Sequence, residues 1–202
     1  MAIKIVFVLD RSGSMQGLET DVIGGFNSFI SEQKKLKDKA TLTTVLFDNY
    51  YEVLHDNVDL QKIEPLTNKQ YFVRGTTALL DAVGKTINHV DHRIRKNDKV
   101  LFIINTDGLE NASQEFSKEV IKELIEHLEK EHDWKFIFLG ANIDAFAAGG
   151  GMGIFYTFNV DNSPKGIMAN YDAVSYTTST FRNTRGATMD TSKLENLDKS
   201  TP

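Results

Sequence analysis

Two stretches constrain the fold more than anything else in the chain. Ile3-Lys4-Ile5-Val6-Phe7-Val8-Leu9 is apolar on both faces apart from Lys4 and stops on Asp10, and Lys99-Val100-Leu101-Phe102-Ile103-Ile104-Asn105-Thr106 stops on Asp107. Runs rich in β-branched and aromatic residues that do not alternate with polar ones read as strands buried on both faces, and such strands occur in parallel sheets covered by helices. In a doubly wound sheet the ligand crevice lies outside the carboxyl ends of the strands, where the strand order reverses. With these runs as the first and fourth strands, Asp10 and Asp107 face each other across that crevice.

The residues after Asp10 add chemistry to the position. In the turn leaving the strand alternate residues can point the same way, so Asp10, Ser12 and Ser14 offer converging oxygens to one small hard cation. The same triplet also suits a strand followed by a capped helix start. The chain has no cysteine, so a bound metal must be an oxygen or histidine case. His55, His89, His92, His127 and His132 are scattered over a hairpin and two helices, away from the carboxyl end of any parallel strand, and read as surface residues.

Between and beyond the two strands the chain alternates helix and strand. Leu18, Val22, Phe26, Phe29 and Ile30 fall on one face of an amphipathic helix. Thr41 to Phe47 and Tyr50 to Leu54 are separated by only Asp48-Asn49, which forces a hairpin and hence one antiparallel edge strand. Residues 55–74 carry no clear period and read as a long connection. A second helix carries Ile87, Val90 and Ile94, a third Val120, Ile121, Leu124, Ile125 and Leu128, and Trp134 to Gly140 reads as a fifth strand. The glycines at 149, 150, 151 and 153 fit neither a dinucleotide fingerprint nor a Walker loop, and read as a turn feeding a sixth strand, Ile154 to Val160. Pro164 suits the first turn of a last helix. The expected fold is therefore α/β: a doubly wound, Rossmann-like, mostly parallel six-stranded sheet with one antiparallel edge strand and helices on both faces.

Gly75-Thr76-Thr77-Ala78-Leu79-Leu80-Asp81-Ala82 leads into the second helix, where a threonine is favoured for capping alone. Taken with Asp10-x-Ser12-x-Ser14 and with Thr106-Asp107-Gly108 followed by Glu110, Asn111 and Ser113, it resembles the three motifs of the metal-ion-dependent adhesion site of the von Willebrand factor A domain family, in the family's order and each on the expected element. The resemblance covers roughly residues 3–160. It implies that Asp10, Ser12, Ser14, Thr77 and Asp107 are metal ligands, with Thr76 in place of Thr77 if the loop register differs by one. An oxygen-only set suits Mg²⁺, with Mn²⁺ as a substitute. The function implied is that of a binding module, not an enzyme, whose metal takes an Asp or Glu carboxylate of a partner protein. Arg11 and Arg74, on loops at the same rim, are expected to add attraction for that acidic group.

Composition bounds the rest. At 202 residues and 41% hydrophobic content the chain suits one α/β domain, expected over residues 1–182, with residues 183–202 as a polar, disordered tail. A net charge of -5 supplies no basic footprint for nucleic acid or an anionic membrane. Without an apolar leader or a membrane-spanning run, a cytoplasmic location is the expectation. Two other classes stay open: a Mg²⁺-dependent phosphatase or phosphotransferase of the haloacid dehalogenase kind, whose first motif would want Asp where Ser12 stands, and an assembly protein with a vestigial site.

Overall fold

The computed structural model describes residues 2–95, 97–141, 144–161 and 163–200. Among them, β1 (Ile3–Asp10) leads to α1 (Glu19–Lys34), β2 (Ala40–Phe47) and β3 (Tyr51–Asp59). Then come α2 (Leu79–Asp91), β4 (Lys99–Thr106), α3 (Lys118–His132), β5 (Lys135–Ala141), α4 (Ala145–Gly151), β6 (Tyr156–Val160), α5 (Pro164–Asn183) and α6 (Ser192–Ser200). The sheet order is β3-β2-β1-β4-β5-β6. β1 runs parallel to both β2 and β4, and β3 is the one antiparallel strand, paired with β2. The order reverses between β1 and β4, so the crevice opens where Asp10 and Asp107 leave their strands.

The period-2 geometry of a strand sorts its side chains between two helical layers. From β1, Ile3, Ile5, Phe7 and Leu9 enter the core shared with α1 and α5, whereas Val6 and Val8 enter the core shared with α2 and α3. Phe7 makes edge-on contacts with Phe26 and Phe29 and stacks on Tyr171, at ring-centroid distances of 5.9, 5.2 and 6.2 Å. On the other side Phe102, Trp134 and Phe136 form an aromatic cluster. Each such fully buried side chain contributes about 1.5–3 kcal/mol of transfer free energy, which holds β1 and β4 rigid under the loops they carry.

Three expectations are corrected. The edge strand continues past Leu54 to Asp59, because Val58 pairs with Leu42 and packs on the core while its neighbours face water; the connection to α2 is shorter to match. The stretch from 183 is not a disordered tail over its described length. α6 buries Leu194 completely, and Asp198 accepts a hydrogen bond from the backbone N–H of Asn159 on β6 at 2.7 Å. Thr201 and Pro202 of that expected tail lie outside the described residues. The third correction concerns Arg11, which is completely buried and not a rim residue.

Candidate metal centre

The five sequence-chosen residues arrive at the reversal point on three loops. Asp10 ends β1, Ser12 stands just before a short 3-10 turn (Gly13–Met15) that contains Ser14, Thr77 precedes α2, and Asp107 follows β4. Ser12 N–H donates to Asp10 Oδ1 at 2.6 Å, and the Ser12 and Ser14 hydroxyls lie 3.1 Å apart. Ser14 Oγ donates to Asp107 Oδ1 at 2.5 Å, closing the first loop onto the third. Thr77 joins through Gly108: a Cβ built there would sit 2.6 Å from Thr77 Oγ1 and 3.3 Å from Ser14 Oγ. Position 108 thus has room for a glycine alone, and the hydroxyls of Ser14 and Thr77 crowd the same point. Asp10, Ser12, Thr77 and Asp107 are buried and Ser14 is exposed, so the oxygens form a sunken cluster with one open side.

The local geometry does not place Thr77 at the capping position of α2. The residue at that position is Ala78, whose side chain makes no capping bond; the free N–H groups of Leu80 and Asp81 are met by the side chains of Glu110 and Ser113 instead. Thr77 is instead fixed by its backbone. Its N–H donates to Asn111 Oδ1 and its carbonyl accepts from Asn111 N–H, both at 3.0 Å. Glu110 accepts from Leu80 N–H at 2.9 Å, and Asp81 accepts from the N–H groups of Gln114, Glu115 and Phe116. Burial pushes the Asp81 carboxyl up, but those three N–H donors outweigh it and hold the pKa below its ordinary value. The residues after Asp107 therefore lock the Thr77 loop to the Asp107 loop.

Thr106 stands in the third motif, but the sequence reading gave it no role. Its hydroxyl donates to Asp10 Oδ2 at 2.5 Å, so the second carboxylate oxygen of Asp10 is oriented from β4. The signal was its place in the Thr106-Asp107-Gly108 triplet, but as the last residue of an apolar strand it reads as packing. Tyr71 also went unread; its hydroxyl donates to the Asp10 carbonyl at 2.7 Å from the connection before α2. Gly75 has φ +69°, and a Cβ there would collide with Asn49 Oδ1, so this loop needs its glycine to approach the β2–β3 turn.

Burial pushes the Asp10 carboxyl up to about 6; hydrogen bonds from Ser12 and Thr106 draw it back, and the charge of Asp107 adds a smaller upward push. No Arg, Lys or His pairs with Asp10 among the described residues. Arg11 is turned away from it: Nε donates to Asp48 Oδ2 at 2.9 Å, and Nη1 makes an ion contact with Glu52 Oε2 at 2.8 Å whose angle is not that of a hydrogen bond. Arg74 reaches the same Asp48 oxygen at 2.7 Å and its side chain stays 40% exposed. Both guanidinium groups lie over the Phe72 ring.

Two buried carboxylates and three hydroxyls fit a small hard divalent cation in donor type, and the uncompensated burial of Asp10 is a deficit that a cation offsets. Among the described residues no three His, Cys, Asp or Glu side chains gather as a metal-holding group, so the hydroxyls are needed to complete a donor set.

No protein-family model and no curated protein matches the chain. Solved structures do. The vWF domain of the type V pili tip protein Mfa5 from Porphyromonas gingivalis has a TM-score of 0.63 at 11% identity, covering 88% of this chain and 95% of that one. A von Willebrand factor type A structure from Catenulispora acidiphila has a TM-score of 0.58 at 11% identity, covering 87% and 42%. Manganese-loaded TRAP from Plasmodium vivax has a TM-score of 0.53 at 25% identity, covering 68% and 56%. The chain thus spans about half the length of the last two and nearly all of the Mfa5 domain. Pilus proteins among the structures that share the fold overturn the cytoplasmic expectation, which rested on the want of an apolar leader and of a membrane-spanning run. What the chain shares with these structures is its fold, and that fold is von Willebrand factor A-like.

Proposed function

We propose that the chain is a metal-dependent protein-binding module, in which Asp10, Ser12, Ser14, Thr77 and Asp107 hold one Mg²⁺ or Mn²⁺. The observation that carries this reading is the meeting of oxygens from three loops at the open end of the β1/β4 crevice, with no basic group paired to Asp10 among the described residues. The manganese reported for the TRAP structure supports the choice of ion. A bound divalent ion supplies an electrophilic position for an Asp or Glu carboxylate of a partner protein.

The chain's own residues do the remaining work. Asp10 and Asp107 supply negative charge, and Ser12, Ser14 and Thr77 supply neutral oxygens that leave the cation under-neutralised. Thr106 and the Ser12 N–H fix the Asp10 carboxylate, and Asn111 fixes the Thr77 loop. Adhesin- and pilus-associated neighbours support a protein as the partner class. Calorimetric titration with Mn²⁺ tests the reading: one site is expected in the wild type and none in Asp107→Asn of unchanged circular dichroism. A flat wild-type titration, or equal binding in Asp107→Asn, overturns it.

A further inference from the structure

Directly beside the oxygen cluster lies an open cavity of about 340 Å³ whose lining is mainly apolar. Its walls come from three parts of the chain: Leu79 and Leu80 at the start of α2, Leu109 after β4, and Ala147, Ala148 and Met152 on and after α4. Gly108 belongs to both features. It borders the cavity, and it is the residue where a side chain would crowd Thr77 Oγ1 and Ser14 Oγ. An apolar cavity of about 150 Å³ accepts a benzene-sized group, so this one has room for a large side chain with space to spare.

The polar residues on the cavity wall are already engaged within the chain. Glu110 already accepts from the backbone N–H groups of Leu80, Ala112 and Ser113 and from the Ser113 hydroxyl, and Asp144 accepts from Ala147 N–H as the cap of α4. The one cation on the wall among the described residues, Lys118, stands with its ammonium 3.3 Å from the Ala147 carbonyl. Leu109 is 66% exposed at the edge, and Phe146, one residue from lining Ala147, is 55% exposed. Large apolar side chains left in water around a concave apolar surface mark a place that a protein covers.

Resting on the metal-site reading, we propose that the cavity is the specificity pocket of that site, and that it selects a partner segment carrying a large apolar side chain within two residues of the metal-binding Asp or Glu. In an extended segment residues i and i+2 point to the same side about 6–7 Å apart. One residue then addresses the oxygen cluster while the other fills the space between α2 and α4. The carboxylate sets metal dependence and the apolar neighbour sets which acidic segment is chosen.

The test uses the full chain and two capped pentapeptides, each with a central Glu and with Phe or Ser two residues on. Binding is measured in Mn²⁺ and in chelator, and Mn²⁺ binding is titrated separately. In Mn²⁺ the Phe peptide should bind at least tenfold tighter than the Ser peptide, and chelator should abolish both. Ala147→Phe, which places a ring in the exposed wall without removing a core contact, should keep wild-type Mn²⁺ binding and lose the preference. Normal Mn²⁺ binding with equal peptide affinities, with no peptide binding, or with a preference that survives Ala147→Phe overturns the pocket and leaves the metal reading standing. Octanoate binding as tightly as the Phe peptide overturns the choice of a protein segment. A flat Mn²⁺ titration overturns the metal reading, and the pocket's role with it.

Discussion

Asp10 and Asp48 are neighbours in the sheet, one ending β1 and the other just past the end of β2, and both are buried. Their surroundings differ in one respect that decides what each can do. Asp48 is met by two guanidinium groups, from Arg11 at 2.9 Å and Arg74 at 2.7 Å, and its Oδ1 accepts from Tyr50 N–H at 2.6 Å. Among the described residues Asp10 is met only by hydroxyls and an amide, and its carboxyl is pushed up to about 6 by burial. A buried charge with its counter-charge inside the chain is a closed structural unit; one without it has to be neutralised by a proton or by an ion from outside. The chain had cations within reach of this end of the sheet and directed them to Asp48.

If Asp48 is the closed unit, removing it should do the most damage. Asp48→Ala leaves Arg11 buried beside Glu52 alone, and breaking such a pair costs about 3–5 kcal/mol. Urea denaturation should show that loss in the midpoint at unchanged m-value. A loss under about 1 kcal/mol would mean that Arg11 finds other partners and that the two aspartates are less different than their contacts suggest.

Adding the missing cation should have the next largest effect. Mn²⁺ at a hundred times its dissociation constant should stabilise the wild type by about 2.7 kcal/mol. The same addition should leave Asp10→Asn unmoved. Thermal melts of both proteins with Mn²⁺ and with chelator check this, and an equal rise in both would place the ion elsewhere.

Asp10→Asn by itself should raise stability, the opposite of Asp48→Ala. An unfolded Asp titrates near 4, and Asp10 in the fold is pushed up to about 6. Between those values the folded state holds a proton that the unfolded chain has released. The stabilising contribution is therefore fully present below about pH 4 and is lost as pH rises through about 6. Without metal at pH 7.5, Asp10→Asn should be more stable than the wild type by on the order of 2 kcal/mol, with the gap closing toward pH 4. Chemical denaturation at several pH values in chelator measures it, and a destabilised Asp10→Asn at pH 7.5 would remove the contrast.

The contrast was only half legible in the sequence. Apolar runs ending at Asp10 and Asp107 show in one dimension because a strand buried on both faces needs an uninterrupted apolar run. Ser12, Ser14 and Thr77 were legible through motif spacing. The fate of Arg11 was not, because a charged residue after a strand reads as a rim residue, and Asp48, Glu52 and Phe72, which bury it, lie far along the chain. Thr106 was hidden for a related reason, since a hydroxyl inside a strand shows no direction until β4 is set against β1 in register. The polarity of α6 suggested disorder because so few apolar residues stand in it. Leu194 nevertheless reaches the core, and Asp198 finds the backbone of Asn159.

The smallest expected change in stability belongs to Thr77, and it isolates the oxygen cluster from the structure around it. If Thr77 were a cap, replacing it would cost about 0.5–2 kcal/mol. The capping position of α2 is Ala78 and carries no side-chain bond, while the Thr77 loop is held by the backbone pair with Asn111, which Thr77→Val preserves along with most of the side-chain shape. The denaturant midpoint of Thr77→Val should therefore shift by less than a cap is worth. Its Mn²⁺ affinity should fall by at least the roughly 10–100-fold that changes just outside a metal's ligands cost, because the substitution deletes an oxygen from the cluster itself. Thr77→Ser, which restores the hydroxyl without the methyl, should recover that affinity. Two measurements on one sample separate the alternatives: a midpoint lowered by a cap's worth with Mn²⁺ affinity intact would return Thr77 to the helix, whereas an unchanged midpoint with weakened Mn²⁺ binding that Ser restores would leave Asp10, Asp107 and the Thr77 hydroxyl as parts of one site.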